Sequence, residues 1–409
     1  MKKLVSSIIL LFLALSLCCS LQFVGSVSAN FLPAPVPDHS IEITANGEVN
    51  GTDKIQRSGN VYTFTGDIVG NIVVFRNGIV VDGAGYTLQG NGNLTGIWFQ
   101  DKNNVEIKNL HIRNFRSGIQ FTYGMLMQGC TGITLSGNTI TDNEYGITFW
   151  LFSHSNNLLG NTIANNTYGI YINHSPNNTF RNNQLTNNKY NFWVTSETSV
   201  QMTYFINDID TSNTINGKPI IYWVNEQDKT VPSDAAYVAL VNCKNITVQN
   251  QTLTSNSQGI LLVATSNSLI TKNHVTNNGY GIVLFAPYEQ CIGNIITENN
   301  ITASSKDGIN SWNSDGTIVT GNSITDSQEI GINFFDSRGA VISENTLSGN
   351  KESDIKVWGN DSTNNTVSNN NCNSQGGAIP EFPSWIILPL LLTATLAIML
   401  CKRKLPKNR

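Results

Sequence analysis

Apolar residues recur at alternate positions in short runs, and the runs return at a fixed interval along most of the chain. The clearest run is Gly146-Ile147-Thr148-Phe149, in which Ile147 and Phe149 share one side of an extended strand. Versions of this run begin at seven further glycines, Gly96, Gly118, Gly169, Gly259, Gly281, Gly308 and Gly331. Neighbouring copies start about 22 or 23 residues apart, an interval typical of stacked structural repeats.

Each repeat contains three short apolar runs separated by turns. One copy consists of Ile133-Thr134-Leu135, Thr139-Ile140-Thr141 and the run from Gly146 to Phe149. Alternation with period two, broken by Gly or Asn, predicts strands, and no helical periodicity is present. Because no strand is long enough to form a core alone, we predict stacked coils with three parallel sheets around an apolar interior. The usual hand of parallel crossovers makes this a right-handed parallel β-helix, an all-β fold. Phe99, Phe121 and Phe149 should then lie above one another.

Asparagine occupies one corner of the predicted coils, two residues before an inward apolar residue. The residues assigned to this corner are Asn138, Asn161, Asn183, Asn273, Asn294, Asn322 and Asn345. Asn tolerates a left-handed backbone, and its amide can bond to the next Asn in a stack. We therefore predict an asparagine ladder along the coils.

The sequence divides into segments of different composition. Met1-Lys2-Lys3, an apolar run and small residues before Asn30 predict a signal peptide over 1–29. The alternative, a lipoprotein at Cys18 or Cys19, is disfavoured because neither cysteine follows a small residue. Residues 30–40 are predicted to form a flexible lead-in between the signal peptide and the first strands. Residues 41–95 are predicted to form an N-terminal cap and the first coils, covering the open sheet edge.

The β-helix itself is predicted over 96–372, with 195–245 as two irregular coils and a longer loop around 225–234. A linker follows at 373–384. The apolar segment 385–401, closed by the basic tail 402–409, predicts one transmembrane helix with the tail on the cytoplasmic side. The body of the chain is therefore expected outside the cytoplasmic membrane, tethered by its C-terminus.

Composition narrows the classes of partner. Charged residues make up 13% of the chain, about half the usual share, and the formal net charge is -4. Without a basic stripe to contact phosphates, nucleic acid is not expected as a partner. Between the predicted signal and anchor, the cysteines are Cys130, Cys243, Cys291 and Cys372, which show no CxxC spacing and are predicted to be mostly buried free thiols.

Several segments resemble a known family. The run from Ile79 to Leu88 (IVVDGAGYTL), the repeated Gly-Ile-x-Phe coils and Asn216-Gly217-Lys218-Pro219-Ile220 resemble the NosD-like family of secreted β-helix proteins, over roughly residues 60 to 370. The resemblance implies a right-handed β-helix of the class found in carbohydrate-binding proteins and sugar hydrolases. It also implies periplasmic copper handling. The segment Ile379-Pro380-Glu381-Phe382-Pro383 with its apolar run resembles archaeal C-terminal surface-anchor signals, which are processed in some proteins.

A column of aromatic residues is the strongest candidate site. If the residue after each repeat glycine points inward, the fourth residue after the glycine, or its equivalent, points outward. The residues at this position are Trp150, Phe285, Trp312, Phe335 and Trp358. Aromatic rings at coil spacing can stack on the sugars of an extended glycan, and Asp315, Asp336 and Asp361 nearby can accept hydrogen bonds from hydroxyl groups. The alternatives are that loops fold over the column or that it packs on a partner protein.

A second constellation suggests a metal. Thioether, thiol and imidazole groups follow the same strand on successive coils, at Met125, Met127, Cys130, His154 and His174. Soft ligands of this kind select Cu(I), so copper is the candidate cofactor. The spacing matches no known metal motif, and the alternative is that these are ordinary loop and packing residues.

Carboxylates form the third candidate. Asp307, Glu329 and Asp354 recur near one corner and could share a site, as glycoside hydrolases or lyases require. Solvated acids in turns are the simpler interpretation, and no catalytic residue is assigned. Sequons for N-glycosylation stand at Asn50, Asn93, Asn165, Asn173, Asn177, Asn245, Asn250, Asn300, Asn360 and Asn364.

These observations favour a membrane-tethered, outward-facing β-helix that binds polysaccharide or another surface glycan, or that has a structural role at the cell surface. Copper binding and delivery is the main alternative, and a polysaccharide lyase or glycoside hydrolase the second. The expected partners are a surface polysaccharide or glycoprotein and the membrane.

Overall fold

The computed structural model describes residues 40–122, 129–196, 201–286 and 291–373. In these ranges the chain forms short strands joined by turns, with a single turn of 3-10 helix at Met202–Phe205. The predicted signal peptide, anchor and basic tail lie outside the described residues, as do nearly all of the lead-in and linker.

The strands fall into two groups, which we name the N-terminal solenoid (residues 40–215) and the C-terminal solenoid (residues 218–373). The N-terminal solenoid contains β1 (Ile41–Ile43), β2 (Val49–Asn50), β3 (Ile55–Ser58), β4 (Val61–Phe64), β5 (Ile68–Val69), β6 (Ile72–Val74), β7 (Val80–Asp82), β8 (Thr87–Gln89), β9 (Thr95–Gln100), β10 (Glu106–Lys108), β11 (His111–Arg113), β12 (Ser117–Thr122), β13 (Thr134–Ser136), β14 (Thr139–Thr141), β15 (Tyr145–Trp150), β16 (Asn157–Leu159), β17 (Thr162–Ala164), β18 (Tyr168–Asn173), β19 (Thr179–Arg181), β20 (Gln184–Thr186), β21 (Tyr190–Thr195), β22 (Asp208–Ile209) and β23 (Thr214–Ile215).

The C-terminal solenoid contains β24 (Lys218–Val224), β25 (Gln227–Thr230), β26 (Tyr237–Val241), β27 (Lys244–Gln249), β28 (Thr252–Thr254), β29 (Gln258–Val263), β30 (Leu269–Thr271), β31 (His274–Thr276), β32 (Tyr280–Phe285), β33 (Cys291–Ile292), β34 (Ile295–Thr297), β35 (Asn300–Thr302), β36 (Ile309–Trp312), β37 (Ser314–Asp315), β38 (Ile318–Thr320), β39 (Ser323–Thr325), β40 (Ile330–Phe335), β41 (Val341–Ser343), β42 (Thr346–Ser348), β43 (Ser353–Trp358), β44 (Thr366–Ser368) and β45 (Asn371–Cys372).

Corresponding strands of successive coils pair in parallel, so the predicted β-helix is confirmed. Sheet A has the order β2-β1-β6-β9-β12-β15-β18-β21, and sheet B has the order β22-β19-β16-β13-β10-β7-β4-β3. Sheet C runs from β5 through β8, β11, β14, β17, β20 and β23, then on through β24, β26, β29, β32, β36, β40 and β43. The remaining walls of the C-terminal solenoid are sheet D (β25-β27-β30-β34-β38-β41-β44) and sheet E (β28-β31-β35-β39-β42-β45).

The interior contains the stacked apolar residues that the repeat predicted. Phe99, Phe121 and Phe149 are in register on β9, β12 and β15 and are fully buried. Their ring centroids are 5.5 and 4.5 Å apart along the stack. At the N-terminal edge, β2 pairs antiparallel with β1 and β3 pairs antiparallel with β4, which covers edges that would otherwise be open.

The asparagine ladder is confirmed, with one correction. In the N-terminal solenoid, Asn138 donates to Asn161 and Asn161 to Asn183, with Nδ2 to Oδ1 distances of 3.0 and 2.9 Å. In the C-terminal solenoid the ladder runs through Asn273, Asn299, Asn322 and Asn345. Asn294 was assigned to this ladder wrongly, because it lies at another corner and donates to the Thr265 carbonyl at 2.7 Å.

The chain reverses between the two solenoids. Asn216 and Gly217 both have positive φ, 49° and 82°, as a two-residue hairpin turn of the Asn-Gly type requires. β24 consequently pairs antiparallel with β23, and every later sheet C strand runs parallel to β24. The expected pair of irregular coils in one uninterrupted stack is therefore wrong, because a hairpin separates two stacks.

After the reversal, both faces of sheet C are used. Val238 and Leu240 of β26 point into the core of the C-terminal solenoid. Their neighbours Tyr237 and Ala239 point the other way and belong to the core of the N-terminal solenoid, where the Tyr237 ring meets Phe192 at 5.3 Å. The outward face of the first strands of the C-terminal solenoid thus covers the end of the N-terminal solenoid.

Candidate functional site

Four of the five predicted aromatic residues form one row on the outward face of sheet C. Phe285, Trp312, Phe335 and Trp358 are paired in register across β32, β36, β40 and β43. Successive ring centroids are 6.1, 5.3 and 4.6 Å apart, and the rings are tilted rather than stacked flat. We call these four residues the aromatic row.

The aromatic row becomes accessible where sheet C extends past the N-terminal solenoid. Phe285 still packs against that solenoid, with its ring 5.4 Å from Phe205. Trp312, on the next strand, is 42% exposed, and Phe335 and Trp358 are partly exposed. Alternation makes this inevitable, because the intervening residues of the same strands fill the core of the C-terminal solenoid.

Amide and carboxyl groups lie beside the row on the same face. The Asn310 and Asn333 side chains donate to one carboxylate oxygen of Asp307 at 2.6 and 2.9 Å, and the Ile330 amide donates to the other at 3.0 Å. The Trp358 indole donates to the Asn333 side-chain oxygen at 2.8 Å. Asp307 is only 2% exposed, so it holds the two asparagines in place behind the rings.

The three aspartates predicted to accept sugar hydroxyls are engaged in turns. Asp315 accepts from the Arg338 amide at 3.2 Å, and Asp336 accepts from the Asp361 amide at 3.0 Å. Asp361 in turn forms an ion pair with the Arg338 side chain at 3.1 Å. Their carboxylates follow the strands that carry the row and lie at its border, where they fix the corners.

Trp150 is not part of the aromatic row. It ends β15 in sheet A of the N-terminal solenoid, and its nearest ring partner is Tyr171, at 5.8 Å. The prediction placed it with the others because the repeat glycines have the same spacing in both solenoids. The hairpin at Asn216-Gly217 puts the equivalent strands of the two halves into different sheets.

A second set of aromatic residues on sheet A was missed. Tyr145, Tyr168 and Tyr190 are in register at the start of β15, β18 and β21, and their rings stack at 4.7 and 5.3 Å. We call them the tyrosine row. A signal is present in the sequence, since Tyr145 and Tyr168 directly precede a repeat glycine, but this position lies outside the predicted apolar run.

The predicted acidic corner is only partly formed. The pKa of Glu329 is raised, mainly by burial and next by the negative charge of the nearby Asp307. Asp354 is fully buried and accepts a hydrogen bond from Asn350 at 2.8 Å. The three carboxylates occupy three different register positions, Glu329 one residue before Asp307 and Asp354 one residue after it, and they form no cluster suited to a metal among the described residues.

The predicted copper ligands do not converge in the described part of the chain. Met125 and Met127 lie outside the described residues. Cys130 is fully buried in the apolar core, where burial raises the pKa of its thiol to about 11. His174 is also buried, with Nδ1 3.0 Å from Ser196 Oγ, whereas His154 is partly exposed and contacts Ser155. A buried neutral thiol is a poor copper ligand, since binding requires the thiolate.

No cluster of three or more His, Cys, Asp or Glu side chains suited to a metal occurs among the described residues. Cys243 and Cys291 are buried free thiols, and Cys372 is partly buried. Of the predicted glycosylation sites, Asn173 is corrected, because it is 1% exposed and cannot receive a glycan in the folded chain. The other nine sequon asparagines are exposed.

A cavity of about 500 Å³ lies elsewhere, at the join between the solenoids. Tyr222, Trp223 and Asp208 are among its lining residues, and it includes no member of either aromatic set. The candidate site is therefore an open face rather than an enclosed pocket.

Family comparisons agree with this architecture. No curated protein sequence matches the chain. The family model for a right-handed β-helix region matches residues 55–207, and the model for the periplasmic copper-binding protein NosD matches residues 207–379. The chain is a right-handed β-helix protein, and its residues 207–379 match the NosD family. The two matches meet close to the hairpin, so each family model covers about one solenoid, and the predicted right-handed β-helix and the predicted resemblance to NosD are both confirmed.

Three solved structures similar to this protein are distant from it in sequence. The Dettilon tailspike protein (gp208) is 14% identical, with a TM-score of 0.30 over 76% of this chain, which spans 62% of the tailspike. The periplasmic alginate epimerase AlgG is 12% identical, with a TM-score of 0.30 over 78% of this chain and 80% of its own. The GH87 α-1,3-glucanase from Streptomyces thermodiastaticus strain HF3-3 is 14% identical, with a TM-score of 0.29 over 85% of this chain and 71% of its own. Such distant similarity says nothing about function.

The membrane anchor predicted at 385–401 lies outside the described residues. Within the described ranges, no helix has the length and apolar character needed to span a bilayer.

Proposed function

We propose that this NosD-like protein binds a polysaccharide or another surface glycan through the aromatic row. The observation that carries the proposal is Trp312, a large aromatic side chain that is 42% exposed within a row of rings at coil spacing. Exposed aromatic groups in a contiguous patch mark interaction sites, and ring faces suit the apolar faces of sugars.

The polar groups beside the row supply what a sugar also needs. Asn310 and Asn333 are fixed by Asp307, so their remaining donor and acceptor positions are ordered before a ligand arrives. Ordering in advance reduces the entropy that binding must overcome. A row of this kind, running across four strands, suits an extended chain better than a single small molecule.

Replacing Trp312 and Phe335 together by Ala tests the proposal. Native electrophoresis through gels containing a cell-surface polysaccharide or a neutral glucan measures retardation by each ligand. Loss of one aromatic anchor costs about 2 kcal/mol at a binding hot spot. The Kd of the double variant should therefore rise by well over ten-fold, and its retardation in the gel should be lost. A matched control replaces Leu159 and Val341, two exposed apolar residues outside the row, by Ala. Equal retardation of wild type and the Trp312→Ala/Phe335→Ala variant contradicts the proposal.

We further propose that this binding takes place outside the cell, with the chain held at the membrane by its C-terminus. The support is the predicted signal peptide over 1–29 and the predicted span over 385–401. Proteolysis of intact cells should remove the β-helix. Protection of the β-helix until the cells are lysed contradicts this location.

Copper handling is the second candidate, favoured by the NosD family match alone. The described residues do not fit it, since Cys130 and His174 are buried and no metal-suited cluster of His, Cys, Asp or Glu occurs among the described residues. Titration of the intact protein with Cu(I) decides between the two. Stoichiometric binding that is lost in His154→Ala and His174→Ala would favour copper, and the absence of stoichiometric binding would exclude this function.

A further inference from the structure

The tyrosine row and its neighbours form a second aromatic surface, on the N-terminal solenoid. Tyr145 and Tyr168 are partly exposed, and their rings are nearly parallel, at an interplanar angle of 11°. Rings stacked on one another in this way present their edges, and thus the ends that bear hydroxyl groups, rather than their faces. Each phenol can both donate and accept a hydrogen bond.

Larger rings border the tyrosine row along the same strands. Trp193 packs against Tyr168 and Tyr171, with centroids 5.5 and 4.5 Å apart. Trp150 also packs against Tyr171, with ring centroids 5.8 Å apart. Tyr171 is buried beneath them, whereas Trp150 and Trp193 remain partly exposed. The surface is therefore wide enough to offer both aromatic and hydroxyl contacts.

Main-chain hydrogen bonds connect this surface to the C-terminal solenoid. The Asn191 amide donates to the Ser255 carbonyl at 2.7 Å, and the Ser257 amide donates to the Phe192 carbonyl at 3.2 Å. The turns that precede the sheet C strands therefore lie next to the last strand of sheet A. Ser305, at one of these corners, accepts a hydrogen bond from the Tyr190 hydroxyl at 2.7 Å.

Lys306 marks the junction between the two surfaces. Its ammonium lies over the Tyr280 ring, 5.1 Å from the centroid, and its charge also reaches Tyr168 of the tyrosine row. The next residue is Asp307, which holds the asparagines behind the aromatic row. Three adjacent residues therefore link the two rows: Ser305 and Lys306 face the tyrosine row, and Asp307 binds the asparagines beside the aromatic row.

Charges of both signs lie along this line, and two of the cations lie over rings, Lys189 over Tyr190 at 5.2 Å and Lys356 over Trp358 at 4.4 Å. Arg116 pairs with Glu144 at 3.8 Å beside the start of the tyrosine row. Near the junction, Lys306 faces the carboxylates of Glu329 and Asp307. The lysines are engaged with aromatic rings and Arg116 is engaged with Glu144, so a glycan rich in carboxylate or sulfate groups would meet Glu144, Glu329 and Asp307 as repelling charges. An uncharged glycan would find carboxylates and amides able to accept hydrogen bonds from its hydroxyl groups.

We propose that the tyrosine row is a second subsite for an uncharged polysaccharide, and that a single extended chain crosses Lys306 to occupy both the tyrosine row and the aromatic row. The proposal rests on the proposed function, since it takes the aromatic row as the first subsite. The coil spacing of about 4.8 Å sets the repeat of both rows. The tyrosine row lies at the start of its strands and the aromatic row at the end of its strands, roughly 16 Å further along the strand direction, so the sugar chain crosses the junction obliquely.

The test uses the intact protein, with a neutral β-glucan and alginate as probes, each as a long chain and as a short oligosaccharide. The variant Tyr145→Ala/Tyr168→Ala removes the exposed part of the second subsite. Its affinity for the long neutral glucan should fall at least ten-fold, while its affinity for the short neutral oligosaccharide, which fills only the aromatic row, should stay unchanged. Alginate should bind the wild type at least ten-fold more weakly than the neutral glucan.

The variant Tyr145→Phe/Tyr168→Phe keeps the ring stack and removes the hydroxyl groups. It therefore tests the second subsite if the alanine variant does not fold. It should lose several-fold of long-chain affinity. Long-chain affinity equal to wild type in folded tyrosine variants would overturn the second subsite and leave the proposed function standing. Loss of short-chain binding in Trp312→Ala/Phe335→Ala supports the proposed function, whereas wild-type protein that binds neither glucan nor alginate overturns both.

Discussion

His174 should make the stability of this protein depend on pH. Its side chain is 1% exposed and lies between aromatic rings, with centroids 3.3 Å from Tyr204 and 5.0 Å from Phe152. Burial lowers the pKa of His174 from its ordinary value of 6.5 to about 4. The imidazole is therefore neutral in the folded chain at pH values where it would be protonated in the unfolded chain.

The sign follows from proton binding. Between pH 4 and pH 6.5 the unfolded state binds more protons than the folded state, so the free energy of unfolding falls as the pH falls. The contribution is fully present above pH 6.5 and is lost progressively down to about pH 4. With these two pKa values, His174 alone should remove about 2 kcal/mol of stability between pH 7 and pH 5.

Urea unfolding of the intact protein at pH 7, 6 and 5 measures this loss, followed by far-ultraviolet circular dichroism. In His174→Gln the dependence on pH should flatten by about 2 kcal/mol over the same range, whatever the variant's stability at pH 7. His154→Gln is the matched control, because this partly exposed histidine follows the equivalent sheet A strand of the preceding coil. A slope in His174→Gln equal to that of the wild type refutes the reasoning, as does an equal flattening in His154→Gln.

Three further predictions concern the coils themselves. Gly146→Ala should cost about 2 to 3 kcal/mol of unfolding free energy in urea, because the added Cβ would lie 2.6 Å from the Gly169 carbonyl oxygen, whereas Gly160→Ala, with nothing within 4 Å, should cost only about 1 kcal/mol for its left-handed backbone. Equal costs would show that the coils relax around the repeat glycine. Asn161→Leu should cost about 3 kcal/mol or more in the same assay, because it leaves buried donors and acceptors of the ladder unpaired, and a cost under 1 kcal/mol would contradict the ladder's importance. Cys291, whose thiol pKa burial raises to about 12, should resist iodoacetamide at pH 8 until the chain is denatured, as measured by mass spectrometry; labelling in the folded state would contradict its burial.

Most of the fold could be predicted from the sequence repeat alone. A period of about 22 residues with alternating apolar positions leaves few ways to bury Ile147 and Phe149 other than a stack, since each coil satisfies its backbone only through its neighbours. The same logic located the asparagine ladder, because a buried amide must find a partner one coil away. Asn294 was misplaced because two corners of the C-terminal solenoid carry asparagine, and a spacing rule cannot distinguish them.

The reversal could not be read from the repeat. Gly146 and Gly308 start runs of the same form, yet Gly146 lies in a sheet A strand and Gly308 directly precedes a sheet C strand. The turn at Asn216-Gly217 was visible, but a local hairpin signal does not say which face of a shared sheet becomes interior. Trp150 was therefore grouped with the wrong rings, and the tyrosine row, which depends on contacts between distant coils, escaped notice.

Binding at the aromatic row is the central claim, and fluorine NMR of protein labelled with fluorotryptophan tests it most directly. Trp312→Phe and Trp358→Phe assign the two resonances of the row, and Trp98, which is buried at 8% exposure outside the row, serves as the internal reference. During titration with a neutral glucan the Trp312 and Trp358 resonances should shift and saturate together while that of Trp98 stays fixed. Saturable binding that leaves both row resonances unmoved would contradict the account.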